Sequence, residues 1–311
     1  MVVVAIRRTL QALGTLLGGA VITFLLLAAT PGDPAERILR ATGRESITQA
    51  DIDAQREALG LDDPLLVRLW DHLRGMARGD LGTSWSTGRS VVEELGTRLP
   101  ATLRLTVAAL AAAIVLSLVL GLASSWATGR WPDHVSRAIS LVFLVVPSFM
   151  LGVIALDLVV VRAGFGVVVS DGSWGTVALP ALTLAVGSAA SWSRILRTSV
   201  LEVRSAPFLL VSRARGTTRL RRLLVHELPN SLPPYVTVIG IEIAFLLGGA
   251  PIVESIFTWP GVGRFTVQAV ESRDMPVVVG FVMLAILAFV VAGLVVDVVN
   301  ATLDPRRRED G

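Results

Sequence analysis

The sequence predicts an all-α integral membrane protein, with six transmembrane helices and both termini on the cytoplasmic side. Three observations carry this expectation. Hydrophobic residues make up 53% of the 311-residue chain and mean hydropathy is +0.68, too apolar for a soluble domain of this length. Several apolar runs reach the roughly 20 residues needed to cross a bilayer core. Arginines mark the short loops that a six-span topology places inside, as the positive-inside bias requires.

The first span is expected over residues 9–29, behind Arg7 and Arg8. A cleaved signal peptide is the competing reading, but this apolar run is longer than the usual leader core, so retention is preferred. Residues 30–99 are rich in acids and arginines, hold no spanning segment, and are read as an extracytoplasmic helical region. Within it, 47–60 reads as an amphipathic helix capped by Ser46 or Thr48, and 65–76 as another, followed by a glycine-rich turn at 79–82. Residues 100–311 form a five-helix core. Its spans are expected at 101–128 behind Pro100, at 138–161 containing Pro147 and Asp157, at 177–192 with Pro180 near its start, at 235–257, and at 276–299.

Some functions are excluded by absence. There is no cysteine and no lysine, so thiol chemistry, a P-loop lysine and a Schiff base are all ruled out. His72, His134 and His226 are far apart and form no metal-binding pattern. No cofactor is expected in the chain, and any ATP chemistry has to sit on a partner.

The remaining candidates are few. Asp157, Glu242 and Asp297 fall in or near spans, where a carboxylate is either part of a pathway or close enough to the interface to be hydrated. Asp157 and Glu242 are carried forward as substrate-pathway residues. Arg104 is expected to snorkel outward. Pro147 and Pro180 are either hinges or static kinks. Gly18-Gly19 and Gly248-Gly249 permit close helix packing. Trp259-Pro-Gly-Val-Gly263 reads as an interfacial turn with Trp259 at headgroup level.

The stretch around which these elements are arranged is residues 194–234. Eight arginines lie between Arg194 and Arg222 against the single acid Glu202. Breaks are expected at Pro207, at Gly216 and at Pro229, Pro233 and Pro234, leaving a short exposed helix between the first two. A solvated basic loop attracted to anionic headgroups would explain the charge. It would not explain Phe208, Leu209, Leu210 and Val211 in a row, which suit a protein partner.

This elbow resembles the EAA loop of ABC-importer membrane subunits, in which a glycine is followed ten residues later by a residue-x-Leu-Pro signature. Here Gly216 is followed by His226-Glu-Leu-Pro229. The positions that name the loop are Leu210, Val211 and Ser212, a departure from the general pattern. Pro31-Gly-Asp-Pro-Ala35, Gly79-Asp-Leu-Gly82, Arg98-Leu-Pro-Ala-Thr-Leu103, Phe257-Thr-Trp-Pro-Gly-Val-Gly263, Arg273-Asp-Met-Pro276 and Asp304-Pro-Arg306 follow in order. Together they resemble the first permease subunit of dipeptide/oligopeptide-type importers.

The resemblance implies a type I ABC-importer permease fold in the bacterial inner membrane. It implies a second homologous permease, two cytoplasmic ATPase subunits (or one fused chain) carrying ATP and Mg, and an extracytoplasmic substrate-binding protein. It gives no role to nucleic acid. ATPase coupling is then expected from Pro207, Phe208, Leu209, Leu210, Val211, Ser212, Arg213, Ala214, Arg215, Gly216 and His226. The substrate is expected to be a dipeptide or oligopeptide, with nickel, glutathione or another small solute as the alternative. A proton-coupled carrier or a membrane enzyme would leave the elbow unexplained.

Overall fold

A computed structural model describes residues 2–29, 32–41 and 47–303, and among these it is helical, with no named strand. The helices are α1 Val2–Ala28, α2 Pro34–Ala41, α3 Gln49–Ala58, α4 Leu65–Ala77, α5 Val91–Trp126, α6 Trp131–Val145, α7 Ser148–Ala155, α8 Ala178–Arg204, α9 Pro207–Ala214, α10 Arg219–Arg222, α11 Leu228–Ile256, α12 Val262–Glu271 and α13 Met275–Leu303. Two π-helical turns, Leu156–Arg162 and Leu223–Glu227, follow α7 and α10. Pro31, Ser46 and the motif 304–306 lie outside the described residues, as does the side chain of Asp297.

Among the described residues three helices are long and apolar enough to cross a membrane: Leu10–Ala28, Val91–Trp126 and Met275–Val295. Trp131–Val145 and Ser148–Arg162 together make a fourth candidate, bent by 101°. The bend has a local cause. Pro147 excludes the α conformation at the residue before it, and Val146 is accordingly extended (φ −77°, ψ 122°). The expected fourth and fifth spans, 177–192 and 235–257, fall on α8 and α11 and their caps, which are not among these candidates.

The chain divides into two compact units, Met1–Thr102 with Pro260–Ala288 and Leu103–Trp259 with Phe289–Gly311. In the first, Val91, Leu95, Val262, Ala269 and Val277 form a buried cluster, with Phe265 and Phe281 packed against it. Thr48 caps α3 in a reciprocal capping box with Asp51, which satisfies two orphan donors at once. Gly19 of α1 faces α13, where an added Cβ would meet the end of the Ile286 side chain. Gly248, by contrast, faces open space.

Asp274, 2% exposed, is the polar centre of this unit. It accepts from Ser84 Oγ at 2.5 Å and from the backbone N–H of Trp85 and Ser86 at 3.0 Å each. His72 meets Phe24 at 5.4 Å between ring centroids, and its Nε2 is buried without a hydrogen-bond partner. Burial pushes its imidazole below the usual histidine range.

The second unit is built on small residues. Ala185, Ala189, Ala190 and Ser193 of α8 are buried, and a Cβ at Gly121 of α5 would meet the Ser193 carbonyl at 2.9 Å. Ser117 and Tyr235 share a buried hydrogen bond of 2.6 Å, and Ser140 and Ser193 one of 3.0 Å.

Several sequence expectations are corrected. Pro100 does not open the second helix, which starts at Val91 and runs through it. The carbonyl that Pro100 leaves without a donor belongs to Gly96, which is exposed, so nothing polar is stranded. Pro229, Pro233 and Pro234 likewise fail to break α11. Pro229 follows the π-turn without a break, and the residues one turn before it, Leu224 and Val225, are exposed; the two later prolines free the carbonyls of exposed Pro229 and Asn230. Pro180 lies in the first turn of α8, where no donor is needed, and marks no kink. Trp259 is fully buried rather than placed at an exposed interface, its N–H bonding the Glu254 carbonyl at 2.8 Å. Arg104 Nη1 donates to the Gly172 carbonyl at 2.5 Å, in the loop before α8.

Candidate functional site

The elbow follows directly from its punctuation. α8 ends at Arg204, Ala206 is extended, and Pro207 opens α9 at the position where a missing donor costs nothing. α9 stops after eight residues because Gly216 turns left-handed at φ +73°, with its N–H on the Arg213 carbonyl at 2.9 Å. Thr217 then donates its hydroxyl to the Ser212 carbonyl at 2.6 Å, and Thr218 caps α10.

α9 has two faces. Leu209 is fully buried and Ser212 nearly so, which pins the helix to its unit. Leu210 and Val211, 63% and 53% exposed, form an apolar outer ridge, with Phe208, 47% exposed, on one flank and Arg213 and Arg215 also exposed. The expectation of four exposed apolar residues is thus corrected to three. The physical reason is helical: residues 209 and 212 lie on one side of a 3.6-residue turn, opposite 207, 210, 211 and 214.

The segments that flank α9 are tied down by two buried carboxylates that the sequence did not single out. Glu227, 1% exposed, accepts from Arg204 Nε at 3.0 Å and Nη2 at 2.8 Å, and from Arg222 Nε at 3.3 Å. Arg204 also donates to the Ser125 carbonyl at 2.8 Å. The Arg222–Glu227 pair spans five residues, a spacing that the π-turn between them brings into line. Asp133, also 1% exposed, is held by Arg197 through Nε and Nη2 at 2.9 Å each, by the Gly129 N–H at 2.9 Å, and by Ser124 Oγ. The Arg197 hydrogen bonds hold this carboxyl well below the usual carboxylate range, against the opposing pull of burial. Arg219 completes the set. It stacks 4.4 Å over Trp126 and bonds that residue's carbonyl.

Arg197, Arg204 and Arg219 therefore tie the elbow to the 124–133 turn between α5 and α6, with Arg222 and Glu227 closing it on α11. His226 is half-buried, and its carbonyl accepts from Asn230 Nδ2 at 2.7 Å. The only signals for Glu227 and Asp133 were their place in the His226–Pro229 motif and in a loop otherwise basic.

The two pathway candidates are elsewhere and apart. Asp157 is half-buried and paired with Arg162 at 2.8 Å across the first π-turn. Glu242 is half-buried on α11 and accepts from Trp192 Nε1 at 2.5 Å and Ser191 Oγ at 3.4 Å. Among the described residues no group of three metal-ligating side chains is present.

Comparisons with known proteins agree with this architecture. Residues 113–309 match the family described as binding-protein-dependent transport system inner membrane component, and residues 1–106 match its N-terminal family. The glutathione transport system permease protein GsiC of Salmonella typhi is 37% identical over 303 residues, covering 97% of this chain and 98% of that protein. GsiC of Escherichia coli K12 is 36% identical over the same extent. Among solved structures, the inward-facing MetNI methionine ABC transporter superposes with a TM-score of 0.58 at 19% identity, over 68% of this chain and 96% of that one. An amino acid ABC transporter with histidines gives 0.53 at 16% identity, over 68% and 94%. At such low identity these structures establish the fold only. The chain belongs to the inner membrane components of binding-protein-dependent transport systems, as a permease subunit of an ABC importer and not an enzyme.

Proposed function

We propose that this permease forms half of the translocation pathway of an ATP-driven importer of short peptides, with glutathione, itself a tripeptide, as the first substrate to test. The observation that carries the coupling role is the outward apolar ridge of α9, seated by buried Leu209 and joined through the end of α8 to the arginine–carboxylate clamp. A ridge so anchored moves only with its clamp. A cytoplasmic ATPase whose groove takes Phe208, Leu210 and Val211 would pass its closure to α5, α6, α8 and α11 together. ATP and Mg reside on that partner, and binding of ATP to its closed form biases the spans between inward and outward access. Six spans with both termini inside, a second homologous permease and an extracytoplasmic binding protein complete the assembly in the inner membrane.

Glutathione ranks first because the relatives reported above are glutathione permeases over nearly their whole length. The wider peptide class is kept because the motifs quoted from 31 to 306 resemble the dipeptide/oligopeptide branch. Asp157 and Glu242 remain candidates for the pathway, with Glu242 the better placed, being held by Trp192 inside its unit.

The test is uptake of labelled glutathione and of di- to tetrapeptides by cells with and without the gene, with and without ATP depletion. Uptake lost in both conditions supports the reading and identifies the substrate. Uptake that survives ATP depletion on a proton gradient would overturn it. Phe208→Asp serves as the coupling control, and it is expected to cost about tenfold or more in ATPase co-purification by placing a charge in an apolar groove.

A further inference from the structure

A second feature lies beside the Arg197–Asp133 pair. Between α6 and α8 lies an open cleft of about 250 Å³, lined by Arg137, Leu141, Arg194, Arg197 and Thr198. Its walls are held together by the Ser140–Ser193 hydrogen bond. Arg197 is committed to Asp133, whereas the guanidinium groups of Arg137 and Arg194 make no hydrogen bond or ion pair among the described residues, the Arg194 carbonyl alone accepting from Thr198 Oγ1 at 3.0 Å. No acid lines the cleft. Asp133 is the neighbouring carboxylate, and it is covered, with both oxygens already taken by Arg197, Gly129 and Ser124. Guanidinium groups gathered without a counter-charge repel one another, and their planar forks match phosphate oxygens.

We propose that this cleft binds the phosphate of an anionic phospholipid headgroup. Phosphate is the chemistry the arginines ask for, and the neighbouring surface says that it arrives on a lipid. Arg137, Leu141, Leu144 and Val145 share one face of α6, and the last three are 48%, 48% and 77% exposed. That face offers a charged site for the head and an apolar track for an acyl chain. Free phosphate would have no use for the track. The inference rests on the orientation proposed above, which puts this end of α6 and α8 at the cytoplasmic leaflet, where basic pockets between helices meet anionic headgroups.

The experiment is native mass spectrometry of the whole purified transporter complex, offered phosphatidylglycerol or phosphatidylcholine. Wild type is expected to retain phosphatidylglycerol in preference. Arg137→Gln and Arg194→Gln should each lower that retention about 5-fold, and the pair together about 25-fold. Arg130→Gln, which removes a charge outside the cleft, should leave it unchanged, and the Arg137→Lys/Arg194→Lys variant should restore part of the loss and exclude misfolding as its cause.

Undiminished retention in the double glutamine variant would overturn the proposal, as would an equal loss with Arg130→Gln. Full displacement of the lipid by excess inorganic phosphate would assign the cleft to a free anion instead. Loss of the second permease from the double variant would assign it to a protein interface. The readout needs no transport: an inactive complex that still selects phosphatidylglycerol sinks the import reading alone, and an importing complex that does not select it sinks this one alone.

Discussion

Glu227 and Asp274 are acids with almost no exposed surface, one in each compact unit, and they are satisfied by opposite means. Asp274 takes a serine hydroxyl and two backbone N–H groups, all neutral and all from one short turn. Glu227 takes two guanidinium groups, from the end of α8 and from α10. The neutral arrangement fixes a turn in place. The ionic one joins elements that leave the elbow in different directions, and it is costly to open because each partner is left charged in a covered site. A device that must transmit force without slipping is served by the second kind.

The difference can be tested from its largest consequence downward. Glu227→Gln leaves Arg204 and Arg222 uncompensated and should destabilise its unit by about 3–5 kcal/mol, read as a fall in thermal unfolding temperature of the detergent-solubilised complex. A loss below about 1 kcal/mol would mean that water already shares the site. Asp274→Asn keeps an acceptor for the serine or the backbone but not for all three donors, and should cost about 1–3 kcal/mol by the same measurement. If the two substitutions cost the same, the contrast between ionic and neutral satisfaction does not hold.

The pH response should separate the units as well. His72 has a lowered folded pKa, so the unfolded chain takes up a proton near pH ~6.5 before the folded one does, and stability contributed by the neutral ring is lost as pH falls through that range. Asp133 also has a lowered folded pKa, but as an acid its contribution is complete above about pH 4 and is lost only below it. Lowering the pH from about 7.5 to about 5 should therefore weaken the wild type slightly, and His72→Gln should abolish that change while Asp133→Asn does not.

Much of the fold was legible where a single residue decides a local conformation. Thr48 capping α3, Pro207 opening α9 and Gly216 closing it were all readable, because each acts on its own turn of backbone. Prolines misled where burial mattered more than geometry. Pro100, Pro233 and Pro234 were expected to break helices, but the carbonyls they orphan are exposed and cost little. Trp259 was placed at an interface by residue type, whereas its side chain is completely buried. The clamp was beyond reach for a different reason. Asp133 and Arg197 are 64 positions apart, and nothing in either segment announces the other.

The π-turn at Leu223–Glu227 has one more implication, for how this segment can vary over time. Such a turn is a regular helix carrying one surplus residue. Deleting any one residue from it would restore an unbroken α-helix and improve the local hydrogen bonding, yet it would swing Glu227 about 100° around the axis, away from Arg204 and Arg222. The segment should therefore accept exchanges at its exposed positions, such as Leu220 and Leu224, while rejecting changes of length between Gly216 and Pro229. Insertions and deletions, more than substitutions, are what this part of the chain cannot absorb.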